Sequence, residues 1–167
     1  MKEWTVVLPA KAVSPSHDYH PSQDYEADGN VLKDVVAAAG FWLRRVKRLA
    51  SLLGLPYESM QLYFARNMGG DHLARYVDGT GSSGAVIVMD ARALVRQSKK
   101  AGLDLSVAVQ TTLVHEMGHA ALDVRGLRLD SLEEERLAEL LAFEFFDSGG
   151  DARDAAEAFL GSIGQVE

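Results

Sequence analysis

Val114-His115-Glu116-Met117-Gly118-His119 is the stretch on which the reading of this chain turns. Apolar residues recur at helical spacing from Leu105 to about Asp123, after Asp104 or Ser106 as the entry, so the stretch falls inside a long helix. Histidines four apart on a helix lie one turn from each other on the same face, and both imidazoles can reach one metal ion. Glu116, next to the first histidine, comes close enough to hold a water bound to that metal. A peptide bond is attacked by water only when the water is made nucleophilic and the carbonyl is polarised. Zinc does both, acting as a Lewis acid and lowering the pKa of its water from 15.7 towards ~7. Glu116 would take the proton and later deliver it to the leaving amine.

The competing reading is an ordinary helix with two polar positions on its exposed face. Three features argue against it. Leu113, Val114, Met117, Ala120, Ala121 and Leu122 surround the histidines, and ionisable groups among apolar neighbours usually have a partner. Gly118 sits mid-helix at a cost of ~1 kcal/mol relative to Ala. A glycine there implies that another backbone or a ligand passes close by. Third, a carboxylate-rich helix follows.

That helix begins at Ser131 and runs to about Asp147, with Glu133 and Glu134 in its first turn, where carboxylates suit the helix dipole. A catalytic zinc held by two histidines needs a third protein ligand and an open position for water. The chain has no cysteine, and no histidine follows His119, so a glutamate from this helix is the natural supplier. Glu135 and Glu139 are four apart on one face. One would bind the metal while the other accepts the free N–H of a ligand histidine. The plain alternative is a solvated acidic face.

His115-Glu116-x-x-His119 followed by Glu135-x-x-Ala138-Glu139 resembles the gluzincin metallopeptidases, and the His-Glu-x-Gly-His form is similar to their ImmA/IrrE-type branch and to the minimal gluzincins. The resemblance covers residues 84–146 and is topological upstream. It implies a zincin-like fold, with a three- to four-stranded twisted sheet, a backing helix, the active-site helix and a glutamate helix. It implies His115, His119 and Glu135 as ligands of one zinc per chain, Glu116 as base and Glu139 as the brace. It further implies that Ala85, Val86, Ile87, Val88 and Met89 form the sheet edge along which a substrate chain lies antiparallel. Many relatives carry Asp or Asn where this chain has Glu139, and no helix-turn-helix accompanies the site.

Working outward, 167 residues suit one domain with a sizeable core, taken as 1–167. The net charge of −7 speaks against a nucleic-acid surface, and the lack of cysteine excludes disulfides, zinc ribbons and thiol nucleophiles. No apolar run approaches the ~20 residues that span a bilayer, and the start is too short for a secretory signal, so a cytoplasmic protein is expected. Trp4 to Leu8 reads as a strand and residues 10–30 as a loop or flap containing His17 and His20. A helix from about Asn30 to Leu53 carries Arg44, Arg45, Lys47 and Arg48 opposite its apolar stripe, a pattern that is usually a solvated face. Strands follow at Gln61–Arg66, His72–Val77 and Ala85–Met89, then helices at Ala91–Ala101 and Ala152–Leu160. The order gives an α+β class. His72 and Tyr76 could each present a donor to an oxyanion, though either alone reads first as structural.

These residues together predict a metalloendopeptidase that takes a protein or peptide substrate, uses zinc and needs neither nucleic acid nor membrane. Manganese or iron would accept the same donors. The alternatives are a catalytically silent zincin-fold binding protein, a narrow-specificity phage- or toxin-type protease, and a hydrolase of non-peptide amides.

Overall fold

The computed structural model describes residues 5–7, 25–55, 61–65, 73–77 and 86–166. They form β1 (Thr5–Val7), α1 (Tyr25–Leu52), β2 (Gln61–Ala65), β3 (Ala74–Val77), β4 (Val86–Asp90), α2 (Ala91–Ala101), α3 (Leu105–Val124), α4 (Ser131–Asp147) and α5 (Ala152–Val166). The class is α+β, mostly helical. The strands order as β1-β2-β4-β3, with β1, β2 and β4 parallel and β3 antiparallel to β4.

Pairing fixes which side chains share a face. Leu62 pairs with Ile87 and Phe64 with Met89 across β2 and β4, while Tyr76 and Ala74 on β3 pair with the same Ile87 and Met89. Paired residues point to one side of a sheet. Leu62, Phe64, Ile87 and Met89 are all fully buried there, and α3 packs against β3 and β4. Tyr76 is therefore turned towards α3.

The expectation that Ala85–Met89 is the sheet edge is overturned. Val86–Asp90 is interior, with β2 on one side and β3 on the other, and among the described residues the open edge beside it belongs to β3. The reason is lateral: β3 pairs antiparallel on the side of β4 away from β2, with Ala74 opposite Met89 and Tyr76 opposite Ile87, while burial of Ile87, Val88 and Met89 shows only that both faces are covered.

Two helices are longer than expected. α1 starts at Tyr25, so Asp28-Gly29-Asn30 lies inside it and does not turn the chain. A helix anchored over 28 residues tolerates Gly29, and Gly40 after it, at ~1 kcal/mol each. α5 continues past Leu160 to Val166 because Ile163 extends the buried stripe of Ala152, Ala155, Ala156 and Phe159. α2 has the bounds expected of it. Buried Asp90 caps it by accepting from the Ala93 N–H, and Gly102 closes it with φ 68°. Residues 10–24 of the proposed flap, His72 and Ala85 lie outside the described residues.

α1 packs against α2, α3 and α5. Its Trp42 Nε1 donates to Ser106 at the start of α3, 2.9 Å from Oγ and 3.1 Å from the carbonyl, and the ring meets Phe145 of α4 edge-on. Beside Trp42, Arg45 is exposed and stacks on Phe41 at 4.2 Å; Arg48 is also exposed and Lys47 is half-buried, while the Arg44 side chain lies outside the described residues. No helix among the described residues is long and apolar enough to cross a membrane.

Candidate metal centre

α3 commits most of its circumference to the core. Leu113, Val114, Met117, Ala120 and Ala121 have no exposed surface. His115 and His119 emerge on the remaining strip, with 21% and 13% of their side chains exposed.

Two local devices bring α4 onto that strip. Asp130 accepts from the Glu133 N–H at 2.8 Å, so the helix starts with its first carboxylates beside α3. Gly118 removes the side chain that would keep the helices apart. An ideal Cβ there would stand 2.8 Å from Ala138 Cα. The backbone expected to pass close to Gly118 is that of α4.

The resulting geometry is tight. His115 Nε2 lies 3.0 Å from Glu135 Oε2, and His119 Nε2 lies 2.9 Å from Glu135 Oε1. The two Nε2 atoms are 3.3 Å apart. Donors at zinc distances of about 2.0–2.2 Å with tetrahedral angles stand roughly 3.3–3.6 Å from each other. The histidine pair already has that spacing, and Glu135 needs a shift of only a few tenths of an ångström on this estimate. His115, His119 and Glu135 form a group able to hold a metal ion.

Proton bookkeeping reinforces the fit. Glu134 Oε2 sits 2.7 Å from His119 Nδ1, and a carboxylate there keeps the proton on Nδ1. His119 Nε2 then presents a lone pair to a carboxylate oxygen and to a second imidazole nitrogen. Three electron-rich atoms converge on one point, which is stable only with a proton or a cation among them.

Glu139 does not brace a histidine as the resemblance implied. It lines the cleft on the His115 side and acts on His115 through its charge. The carboxylate that meets a histidine Nδ1 is that of Glu134, adjacent to Glu135 in sequence. The spacing argument favoured two glutamates on one face. Here the two partners of His119 approach from different directions, and neighbouring residues, ~100° apart around a helix, suit that better. The Glu133-Glu134-Glu135 run was the available signal.

Electrostatics distinguish the groups. Burial lowers the His115 pKa, with the Glu135 carboxylate opposing and His119 assisting. Burial raises the Glu116 pKa, while His119 and a hydrogen bond from the Tyr76 main-chain N–H pull it down and Glu135 pushes it up. Glu116 is 8% exposed and lines the same cleft as His115 and Glu135. That cleft, of about 520 Å³, is walled on its far side by Leu73, Ala142, Phe143 and Phe146. The two phenylalanines were not singled out from the sequence, because at three-residue spacing they resemble core residues. A second hollow of about 340 Å³ lies beyond His119, bounded by Tyr76, Asp123, Arg128 and Glu134 among others.

No protein-family model matches the chain, and no curated protein or solved structure matches it.

Proposed function

We propose that the chain is a zinc-dependent metallopeptidase of minimal zincin architecture, hydrolysing peptide bonds in a protein or peptide substrate. The observation that carries the reading is the convergence of His115 Nε2, His119 Nε2 and the Glu135 carboxylate on one point, with Glu116 in the same cleft. Two imidazoles and one carboxylate are a donor set suited to zinc, and no cysteine competes. Zinc bound there supplies a Lewis acid for the scissile carbonyl and lowers the pKa of a water ligand to about 7.

Glu116 takes the proton of the attacking water and returns it to the departing amine. Burial raises its pKa above the ordinary carboxyl value, which favours its holding a proton. Glu134 holds the His119 ring in the tautomer whose Nε2 faces the ligand position. On β3, Leu73 O receives the Asp90 N–H, so strand alternation turns the main-chain groups of Ala74 towards the open edge. Ala74 borders the cleft, and an extended substrate would pair along that edge by β-augmentation.

The test is elemental analysis of the purified chain beside His115→Ala, together with hydrolysis of an unstructured casein-type substrate by wild type and Glu116→Gln. One zinc per chain, lost in His115→Ala, with hydrolysis lost in a metal-replete Glu116→Gln, is the expected result. A wild type that takes up no zinc when it is offered would overturn the reading.

A further inference from the structure

Tyr76 touches the site from two directions at once. Its hydroxyl donates to Asp123 Oδ2 at 2.8 Å, and its main-chain N–H donates to the Glu116 carboxylate. Asp123 and Glu116 both belong to α3. Asp123 stands one helical turn beyond His119, as His119 stands one turn beyond His115.

Ladder parity explains how one residue does both. The Asp90 N–H to Leu73 carbonyl bond makes Leu73, Arg75 and Val77 the residues of β3 that bond to β4. Tyr76 falls between them, so its N–H leaves the sheet at the open edge, where Glu116 receives it. Its side chain meanwhile points to the face packed on α3, where Asp123 receives the hydroxyl. β3 is four residues long and, among the described residues, bonded to one strand only. Its height above α3 therefore depends on something besides the ladder.

We propose that Tyr76 is a positioning residue. Through Asp123 it fixes the edge strand to the catalytic helix, and its N–H thereby holds the Glu116 carboxylate in the orientation for proton transfer. The inference rests on the metallopeptidase reading for its catalytic consequence, but the tie itself is independent of turnover. Neither hydrogen bond touches the donor set, so the tie sets the base and leaves the metal.

The experiment uses the full zinc-loaded chain and a double-mutant cycle of Tyr76→Phe and Asp123→Ala, with Asp123→Asn as the conservative variant. Loss of orientation at the base lowers kcat by about 10- to 100-fold in each single variant, with KM and zinc content unchanged. The double variant is no slower than either single one, because both remove the same tie. Asp123→Asn, whose amide oxygen still accepts from the hydroxyl, recovers most of kcat. Amide hydrogen exchange at residue 76 supplies the readout without turnover, and it rises about tenfold or more in Tyr76→Phe and Asp123→Ala alike. Unchanged exchange at residue 76 in both variants overturns the proposal, as do additive losses of kcat. A wild type that hydrolyses nothing, with exchange rising as stated, leaves the tie standing and removes the peptidase reading.

Discussion

Gly118 of α3 and Ala138 of α4 meet backbone to backbone: a Cβ at position 118 would lie 2.8 Å from Ala138 Cα and 3.2 Å from Ala138 Cβ. This contact sets the separation of the two helices midway between the histidines and the glutamates they face. Because Ala138 presents its main chain there, no rotamer change can relieve added bulk. The glycine thus connects helix packing to ligand geometry.

Gly118→Ala is accordingly expected to push α4 away and to weaken zinc binding. Overpacking costs about 1–3 kcal/mol, against a helix-propensity gain of ~1 kcal/mol, so the fold survives with a lower melting temperature. The ligand set is less forgiving, since Glu135 must reach both imidazoles. Calorimetric titration of the metal-free variant with zinc should show affinity reduced by about tenfold or more. Wild-type affinity in Gly118→Ala would mean that α4 does not depend on this approach.

Glu134 and Glu135 should separate cleanly. Removing a histidine's hydrogen-bond partner usually costs about 10- to 100-fold in metal affinity. Glu134→Ala is predicted to fall in that range, and Glu134→Gln to lose less because its amide oxygen can still accept from His119 Nδ1. Glu135→Ala takes away a donor and should leave the chain unable to retain zinc through dialysis. If Glu134→Ala empties the chain while Glu135→Ala stays loaded, the ligand and the brace must be exchanged.

The acid limb of stability carries a signature of His115. Burial lowers its pKa below the ordinary 6.5, so the unfolded chain takes up the proton first as pH falls. Folding of the metal-free protein therefore loses stability as pH drops through that value towards the folded pKa, and regains it as pH rises. His115→Asn removes this contribution. Thermal melts of both metal-free forms between about pH 5 and 8 should diverge only on the acid side. Parallel curves would show that His115 is not held neutral by its surroundings.

Much of the site was legible because it rests on short-range rules. The spacing of His115 and His119 follows from helix periodicity, and the cost of a mid-helix glycine pointed to another backbone or a ligand, which proves to be the backbone of α4. Ser131–Asp147 has the bounds expected of it, set within one turn at each end by the Asp130 cap and by Gly149 at φ 73°. What could not be read depends on tertiary choices. Whether Val86–Asp90 is edge or interior turns on where β3 inserts, and four residues of β3 carry no sequence mark of that. The choice of Glu134 over Glu139 depends on the angle at which α4 crosses α3. Tyr76 acquires two partners on α3 only once the ladder parity of β3 is set. The extra turns of α5 were hidden by Gly161 and Gly164, each of which costs a helix ~1 kcal/mol relative to Ala, and a Cβ at either position would meet nothing within 4 Å.

Substrate preference follows from the side on which Glu116 lies. The departing amine must come within reach of the group that protonates it, and Glu116 lines the cleft walled by Phe143 and Phe146 but not the hollow beyond His119. On the proposed peptidase function, the residue carrying the new amino terminus is expected to turn its side chain towards the phenylalanines. These are 59% and 47% exposed, three apart on α4, and form an apolar wall open to a ligand. Cleavage is expected on the amino side of large apolar residues, mapped by mass spectrometry of digests of an unstructured protein. An aromatic contact is worth about 0.5–1.5 kcal/mol, so Phe143→Ala should lower kcat/KM for such sites by roughly 2- to 12-fold. The same substitution should leave sites with a small residue at that position nearly untouched, since they make little use of the wall. Equal losses for both kinds of site, or a digest without apolar preference, would show that the substrate runs through the cleft the other way.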